Sequence, residues 1–311
     1  MKKILFITSS RADYGLLRNV VLEVQKLNSH TYLMITGSHI SKEFGETISE
    51  IKRDKIKNII KKKILDDKFK EKNISKYLER SIKVTTQVIN KLKPKTIVIL
   101  GDRYELLGCA TAATIARIPI THIHGGEVTK GAYDDSIRHS ISKLSHLHFP
   151  IHEQYKKRLI QLGENPKTVF NYGSLGVYSA NNTKLLKKKE LEELFKIKLD
   201  KKIVLVTYHP VTLEKNESKF QILNLIKFLR TLKDCIIIIT SPNFDNETKV
   251  IKKELLNFTK NEKNVYYFNS LGNKGYTSLM KIAYLLIGNS SSGVLETPFF
   301  GSFRATIRAR Q

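Results

Sequence analysis

Short apolar runs and longer amphipathic stretches alternate along this chain. The runs at 4–8, 31–36, 96–100, 118–123 and 147–150 lack a regular polar alternation. Helical spacing of apolar residues occupies 14–27, 74–92, 105–116 and 136–147 between them. Strands of this kind, separated by helices, predict a parallel sheet covered on both faces. After a lysine-rich connection the cycle restarts, with strands at 203–208, 235–240, 265–268 and 283–287 and helices at 219–232, 249–258 and 277–282. GNSSSG then opens a helix that carries Glu296. The pattern predicts an α/β protein of two doubly wound, Rossmann-like domains, 1–173 and 174–311. Ligands are expected beyond the carboxyl ends of their strands.

Composition narrows the class. Of 311 residues, 41% are hydrophobic and 27% charged, as in water-soluble globular proteins. No apolar run reaches the roughly 20 residues that span a bilayer, so no membrane partner is expected. The opening MKKILFITSS reads as the first buried strand rather than a signal peptide, because its apolar stretch is short and Arg11 and Asp13 follow at once. Cys109 and Cys235 lie in apolar segments without metal spacing, which suits a reducing cytoplasm.

The net charge of +25 raises the question of nucleic acid. The lysines concentrate at 52–72 and 184–202, where they alternate with Ile and Leu at helical spacing and predict amphipathic surface helices. With no Trp and no Arg-rich run, nucleic acid is not the expected partner. A positive field would instead concentrate a doubly charged nucleotide.

Chemistry gathers where predicted strands end. SSRADYG (9–15), GDRYE (101–105), HIHGGE (122–127) and YHPVT (208–212) each follow a strand. Residues 122–139 hold His122, His124, Glu127, Asp134, Asp135, Arg138 and His139 beside Gly125, Gly126 and Gly131. The glycines allow backbone amides to approach the charges. GNSSSGVLE (288–296) reads as a strand, a small polar turn and a helix whose free amides suit a phosphate. Glu296, about two turns on, suits ribose hydroxyls. There is no GxGxxG, GxxxxGK[ST] or GxSxG, which argues against nicotinamide, P-loop and serine-hydrolase chemistry. His122 and His124, two apart on a predicted strand, are expected on one face. With Glu127 they allow a metal reading, weakened because several acids remain free for proton transfer.

SRADYG, GDRYE, HIHGGE…DDSIRHSISKLSHLHF, YHP and GNSSSGVLE, in this order over residues 3–301, resemble the hydrolysing UDP-N-acetylglucosamine 2-epimerases of bacterial sialic acid synthesis. The resemblance implies the GT-B architecture, two Rossmann-like domains facing a cleft that holds UDP. It implies conversion of UDP-N-acetylglucosamine and water to N-acetylmannosamine and UDP, with no metal and no nicotinamide cofactor. UDP leaves first, giving a 2-acetamidoglucal, and water then adds. Carried over by motif, Asp102, Glu127 and Asp134 are the acid–base residues, with Asp135 an open alternative to Asp134. Arg11, His209, Ser290, Ser291 and Glu296 are placed around UDP, and Arg138 and His139 are either partners of the acids or structural. Dimers or tetramers are expected.

Members of that family continue past the point where this chain stops, and Ile307-Arg308-Ala309-Arg310-Gln311 stands where an Ile-Gly-Asp-Arg-Gln pattern is usual. Arg310 matches its arginine. The expectation is an incomplete second sheet and weak activity. Rival readings are a 2-epimerase of UDP-2,4-diacetamido sugars, a GT-B glycosyltransferase and an inactive UDP-sugar-binding remnant.

Overall fold

The computed structural model describes residues 2–41, 48–182, 184–211, 213–214, 216–242, 247–290, 293 and 296–307. They form two units, each built on a parallel sheet. One comprises Met1–Val128 with Tyr133–Leu175, the other Thr129–Ala132 with Gly176–Gln311.

The first unit contains β1 (Ile4–Thr8), α1 (Arg11–Leu27), β2 (Thr31–Ile35), α2 (Ile48–Arg53), β3 (Asn58–Lys61), α3 (Ile74–Leu92), β4 (Thr96–Leu100), α4 (Tyr104–Ile115), β5 (Ile120–Ile123), α5 (Asp134–Lys143), β6 (Leu147–Phe149) and α6 (Glu153–Gln161). Its strand order is β3-β2-β1-β4-β5-β6, all parallel. Alternate side chains enter different cores. Leu5, Ile7, Ile97 and Ile99 pack with Leu106, Cys109 and Ile141, whereas Phe6, Val98 and Leu100 pack with Tyr14, Leu17 and Val21. Burial on both faces is why these strands read as continuous apolar runs.

The second unit contains α7 (Leu175–Asn182), whose first residue belongs to the first, α8 (Lys188–Phe195), β7 (Lys202–Thr207), α9 (Ser218–Leu229), β8 (Cys235–Thr240), α10 (Thr248–Asn261), β9 (Val265–Phe268), α11 (Gly272–Ile282), β10 (Leu285–Gly288), α12 (Thr297–Phe300) and β11 (Phe303–Thr306). The strand order is β11-β10-β7-β8-β9, again parallel. Val204, Val206, Ile237 and Ile239 face α9 and α10 through Leu225, Ile226, Leu255 and Phe258. Ile203, Leu205, Ile236 and Ile238 face α8 and α11 through Leu191, Leu279 and Met280.

The lysine-rich stretches depart from the helices expected of them. Within 52–72, Asn58–Lys61 is the edge strand β3, in register with Tyr32–Ile35. Ile59 packs against the core of one sheet face and Ile60 against the other. Sheet pairing and two-sided burial override the helical spacing, and lysines suit an edge strand because they oppose further pairing. Within 184–202, only Lys188–Phe195 is helical. Lys196 turns left-handed at φ 55°, and Ile197 and Leu199 then enter the core as extended chain. Among the described residues no helix is long and apolar enough to cross a membrane.

Gly288, the last residue of β10, has φ 146°, and a Cβ there would lie 1.8 Å from the Thr207 carbonyl oxygen of the neighbouring strand. Strain and collision fall on one residue. Gly288→Ala is therefore expected to cost more than about 2 kcal/mol, read from urea unfolding of the two proteins. An unchanged midpoint would refute the close approach.

Candidate active site

Four sequence-predicted acids gather in the first unit, and a buried arginine organises them. Arg138 stands on α5, one turn after Asp134 and Asp135. Its Nη2 donates to Asp102 Oδ2, in the turn that follows β4, and its Nη1 donates to the Glu127 carbonyl oxygen at 3.1 Å. The Arg138 side chain is 6% exposed and that of Asp102 22%. Burial works against the guanidinium charge, but Asp102, Glu127, Asp134 and Asp135 outweigh it and hold the arginine above its ordinary value. Asp134 is buried in the first turn of α5, where the helix amides favour a negative charge. Asp135 is more open, with the His139 Nε2 at 3.7 Å from its Oδ2.

The turn after β5 places Glu127. His124 follows the last strand residue with φ 64°, and Gly126 has φ 79°. A Cβ on Gly126 would lie 2.4 Å from the Tyr155 carbonyl oxygen of α6, so this turn lies directly on that helix. Arg158 Nη1 donates to the Gly126 carbonyl oxygen and fastens it there. His124 Nδ1 lies 2.6 Å from Glu127 Oε1. Burial pushes the Glu127 carboxyl up, but His124 and Arg138 overcome this and hold it below its ordinary value. Glu105, in the GDRYE turn, is shifted the opposite way. Burial pushes it up despite Arg103, whose Nε lies 3.3 Å from its Oε1.

His122 and His124 do not share one face, contrary to expectation. The strand ends at Ile123, and the left-handed turn at His124 breaks the alternation. His122 is enclosed, with Nε2 donating to the Gly101 carbonyl oxygen at 2.8 Å and Nδ1 3.0 Å from Ser142 Oγ. Burial pushes its pKa down to about 3, so it is a neutral packing group. Both nitrogens are occupied, which removes it from the metal reading. Among the described residues no three His, Cys, Asp or Glu side chains are grouped to hold a metal ion.

The SSRADYG turn is organised by Asp13, which sequence reasoning missed. Its Oδ2 accepts from the Ser9 and Ser10 amides at 3.1 and 2.9 Å, and Oδ1 accepts from Thr8 Oγ1. His39 Nε2 lies 3.0 Å from the same hydroxyl. This network caps α1 through Ser10 and sets Arg11 at its first position. The signal was an acid three residues after a serine, a capping box.

In the second unit, Gly288 is level with Thr207, so the next residues of the two turns meet. Asn289, also missed, accepts from the His209 amide and donates to its carbonyl oxygen, both at 2.7 Å. This clamp fixes the YHP turn beside GNSSSG, and Ser290 lines a small recess with Thr207, Tyr276 and Arg304. Ser291, like Arg308 and Arg310, lies outside the described residues. Glu296 stands immediately before α12, at its N-cap position, and a Cβ on Gly176 would lie 2.2 Å from its Oε1. Thus His209, Ser290 and Glu296 belong to the second unit, and Arg11 with all four acids to the first. Thr129–Ala132, between Glu127 and Asp134, groups with the second unit, where the Leu213 amide donates to the Gly131 carbonyl oxygen at 3.0 Å.

The family described as UDP-N-acetylglucosamine 2-epimerase matches residues 23–311. The GDP/UDP-N,N'-diacetylbacillosamine 2-epimerase (hydrolyzing) of Campylobacter jejuni is 45% identical over 315 residues, covering 100% of this chain and 81% of the relative. The polysialic acid biosynthesis protein P7 of Escherichia coli is 38% identical over 305 residues, covering 96% and 76%. Among solved structures, the UDP-GlcNAc 2-epimerase from Neisseria meningitidis bound to UDP-GlcNAc superposes with a TM-score of 0.79 at 21% identity, covering 98% of this chain and 82% of that one.

Three histidines, two of them buried and His139 half-buried, make stability depend on pH. His122, His139 and His148 are all lowered, chiefly by burial. The unfolded chain takes up protons near the ordinary value of about 6.5 while the folded chain does not. Stability is therefore full above that value and falls as pH drops below it. His122 alone should remove about 1–2 kcal/mol between about pH 7 and about pH 5. Urea unfolding at both pH values is expected to show the loss, and His122→Gln to reduce it. An equal loss in the variant would contradict the assignment.

Proposed function

We propose, since the chain belongs to the UDP-N-acetylglucosamine 2-epimerase family, that it hydrolyses a UDP-linked 2-acetamido sugar with inversion at carbon 2. The observation that carries the reading is the set of four carboxylates around the buried Arg138 guanidinium. Inversion at carbon 2 requires one group to take its proton and another to return one to the opposite face. Hydration of the intermediate requires a third to direct water. Asp102, Glu127 and Asp134 fill these roles. Burial of Asp134 and the exposure of Asp135 beside His139 favour Asp134 as the reacting member of the pair.

The second unit serves the nucleotide. The Asn289 clamp holds His209 at the carboxyl end of β7, and Ser290 lies at the carboxyl end of β10, the positions at which such sheets take ligands. Glu296 suits ribose hydroxyls. Ser291 and Arg11 complete the set on the strength of the motif resemblance. The departing diphosphate gathers negative charge, which cations and oriented amides stabilise.

The sugar is either N-acetylglucosamine or a 2,4-diacetamido sugar. The 45% identity to the diacetylbacillosamine enzyme favours the second. A homo-oligomer, dimer or tetramer, is the expected assembly.

A proton NMR time course in heavy water tests the reading with UDP-N-acetylglucosamine and UDP-N,N'-diacetylbacillosamine offered separately. Free UDP and a 2-epimerised free sugar deuterated at carbon 2 are expected, faster with the diacetamido substrate. UDP bound without turnover of either sugar would make the chain a binding remnant. Asp102→Asn, Glu127→Gln and Asp134→Asn are each expected to lower kcat by at least about 100-fold with UDP affinity nearly unchanged. Native rates in any of them would remove that residue from the mechanism. His209→Ala should weaken UDP binding instead, and unchanged affinity would sink its assignment.

A further inference from the structure

His124 carries two costs at once. It is a non-glycine residue at φ 64°, a region L-residues occupy at some energetic expense. It stands next to Gly125 and Gly126, residues that take such a conformation without this expense. Second, its Nε2 is buried and has no hydrogen-bond partner among the described residues. A buried polar atom left unbonded costs roughly 1–3 kcal/mol. Backbone strain and an unbonded donor or acceptor persist together where function requires them.

The other ring nitrogen is fully engaged. Nδ1 lies 2.6 Å from Glu127 Oε1, and the side chains of His124 and Glu127 keep 8% and 10% of their surface open. Burial opposes the Glu127 charge, but the hydrogen bond from His124 and the Arg138 guanidinium hold its carboxyl below the ordinary value, so it is ionised. An ionised carboxylate accepts, so Nδ1 carries the proton and donates. In the neutral ring the lone pair is then on Nε2, which makes that atom a base. His122, two residues earlier, is the contrast, with both nitrogens bonded inside the fold.

We propose that His124 Nε2 is the group that takes the proton from carbon 2 of the sugar, and that Glu127 is its positioning residue. The assignment rests on the 2-epimerase reading above and revises one part of it: Glu127 acts through His124, and Asp102 and Asp134 are left to return a proton and to direct water. As the carbon 2–hydrogen bond breaks, its electron pair forms the carbon 1–carbon 2 double bond. The electron pair of the carbon 1–oxygen bond leaves with UDP. The proton stays on Nε2, and the resulting imidazolium faces the Glu127 carboxylate that already accepts from Nδ1. Water then delivers hydroxide to carbon 1 and, through a second acid, a proton to carbon 2 on the opposite face. The imidazolium proton passes to solvent, matching the acid released with UDP.

His124→Asn separates the two roles of the ring. Asparagine tolerates the left-handed turn, and its amide nitrogen takes the place of Nδ1, so the bond to Glu127 is kept while Nε2 is lost. Turnover and deuterium incorporation at carbon 2 are expected to fall by at least about 100-fold, with UDP affinity and the thermal unfolding midpoint close to those of the unaltered chain. Nitrogen-15 NMR of the unaltered chain at neutral pH should find His124 protonated on Nδ1 and bare on Nε2. A His124→Asn protein that turns over within a few-fold of the unaltered chain would overturn the assignment, as would a ring protonated on Nε2. If the unaltered chain turns over neither UDP-sugar, the 2-epimerase reading itself fails and this assignment falls with it.

Discussion

A guanidinium taken out of water must be compensated, and the first unit is arranged around that requirement. Arg138 reaches the Asp102 carboxylate after β4 and the Glu127 carbonyl after β5 while standing on α5 itself. One side chain therefore ties together the ends of two neighbouring strands and the helix that follows them. The carboxylates in turn depend on it. Without the cation, the buried Glu127 carboxylate would lose part of what offsets its burial. The same pairing that stabilises the arginine holds Asp102 in place and helps keep the Glu127 carboxyl below its ordinary value.

The second unit solves a different problem, that of presenting polar groups at the end of a parallel sheet. Here the work is done by neutral hydrogen bonds. Asn289 reads both the amide and the carbonyl of His209, which fixes the backbone of one turn from the side chain of another. This depends on β7 and β10 being adjacent and in register, with Gly288 permitting the approach. The Asp13 network after β1 works in the same manner, accepting from two successive amides to set the start of α1. In each case side-chain hydrogen bonds to backbone fix the turn at a strand end beside a candidate residue.

Much of this was legible in the residues. The two sheets and the strand ends that bear the motifs followed from apolar runs and local punctuation, whereas the candidate acids came from the family resemblance. The failures are instructive. Ile59 and Ile60 are spaced as on a helix, yet their neighbourhood to β2 makes them a strand, because the edge of a sheet offers hydrogen bonds and two-sided burial that a lysine-rich helix cannot match. His122 and His124 look equivalent in sequence. One ends buried between Gly101 and Ser142, the other is turned left-handed against Glu127.

The sequence alone therefore determined the fold class, the parallel character of both sheets and which strand ends bear polar motifs, because burial on two faces and strand-end punctuation leave a local record. Tertiary structure decided which of those residues come into contact. Arg138 lies 36 positions from Asp102, and Asn289 lies 80 from His209. No local pattern encodes such pairings. They arise only when strand order brings distant turns side by side, and the energetics of a buried charge or an unpaired amide then select the partner.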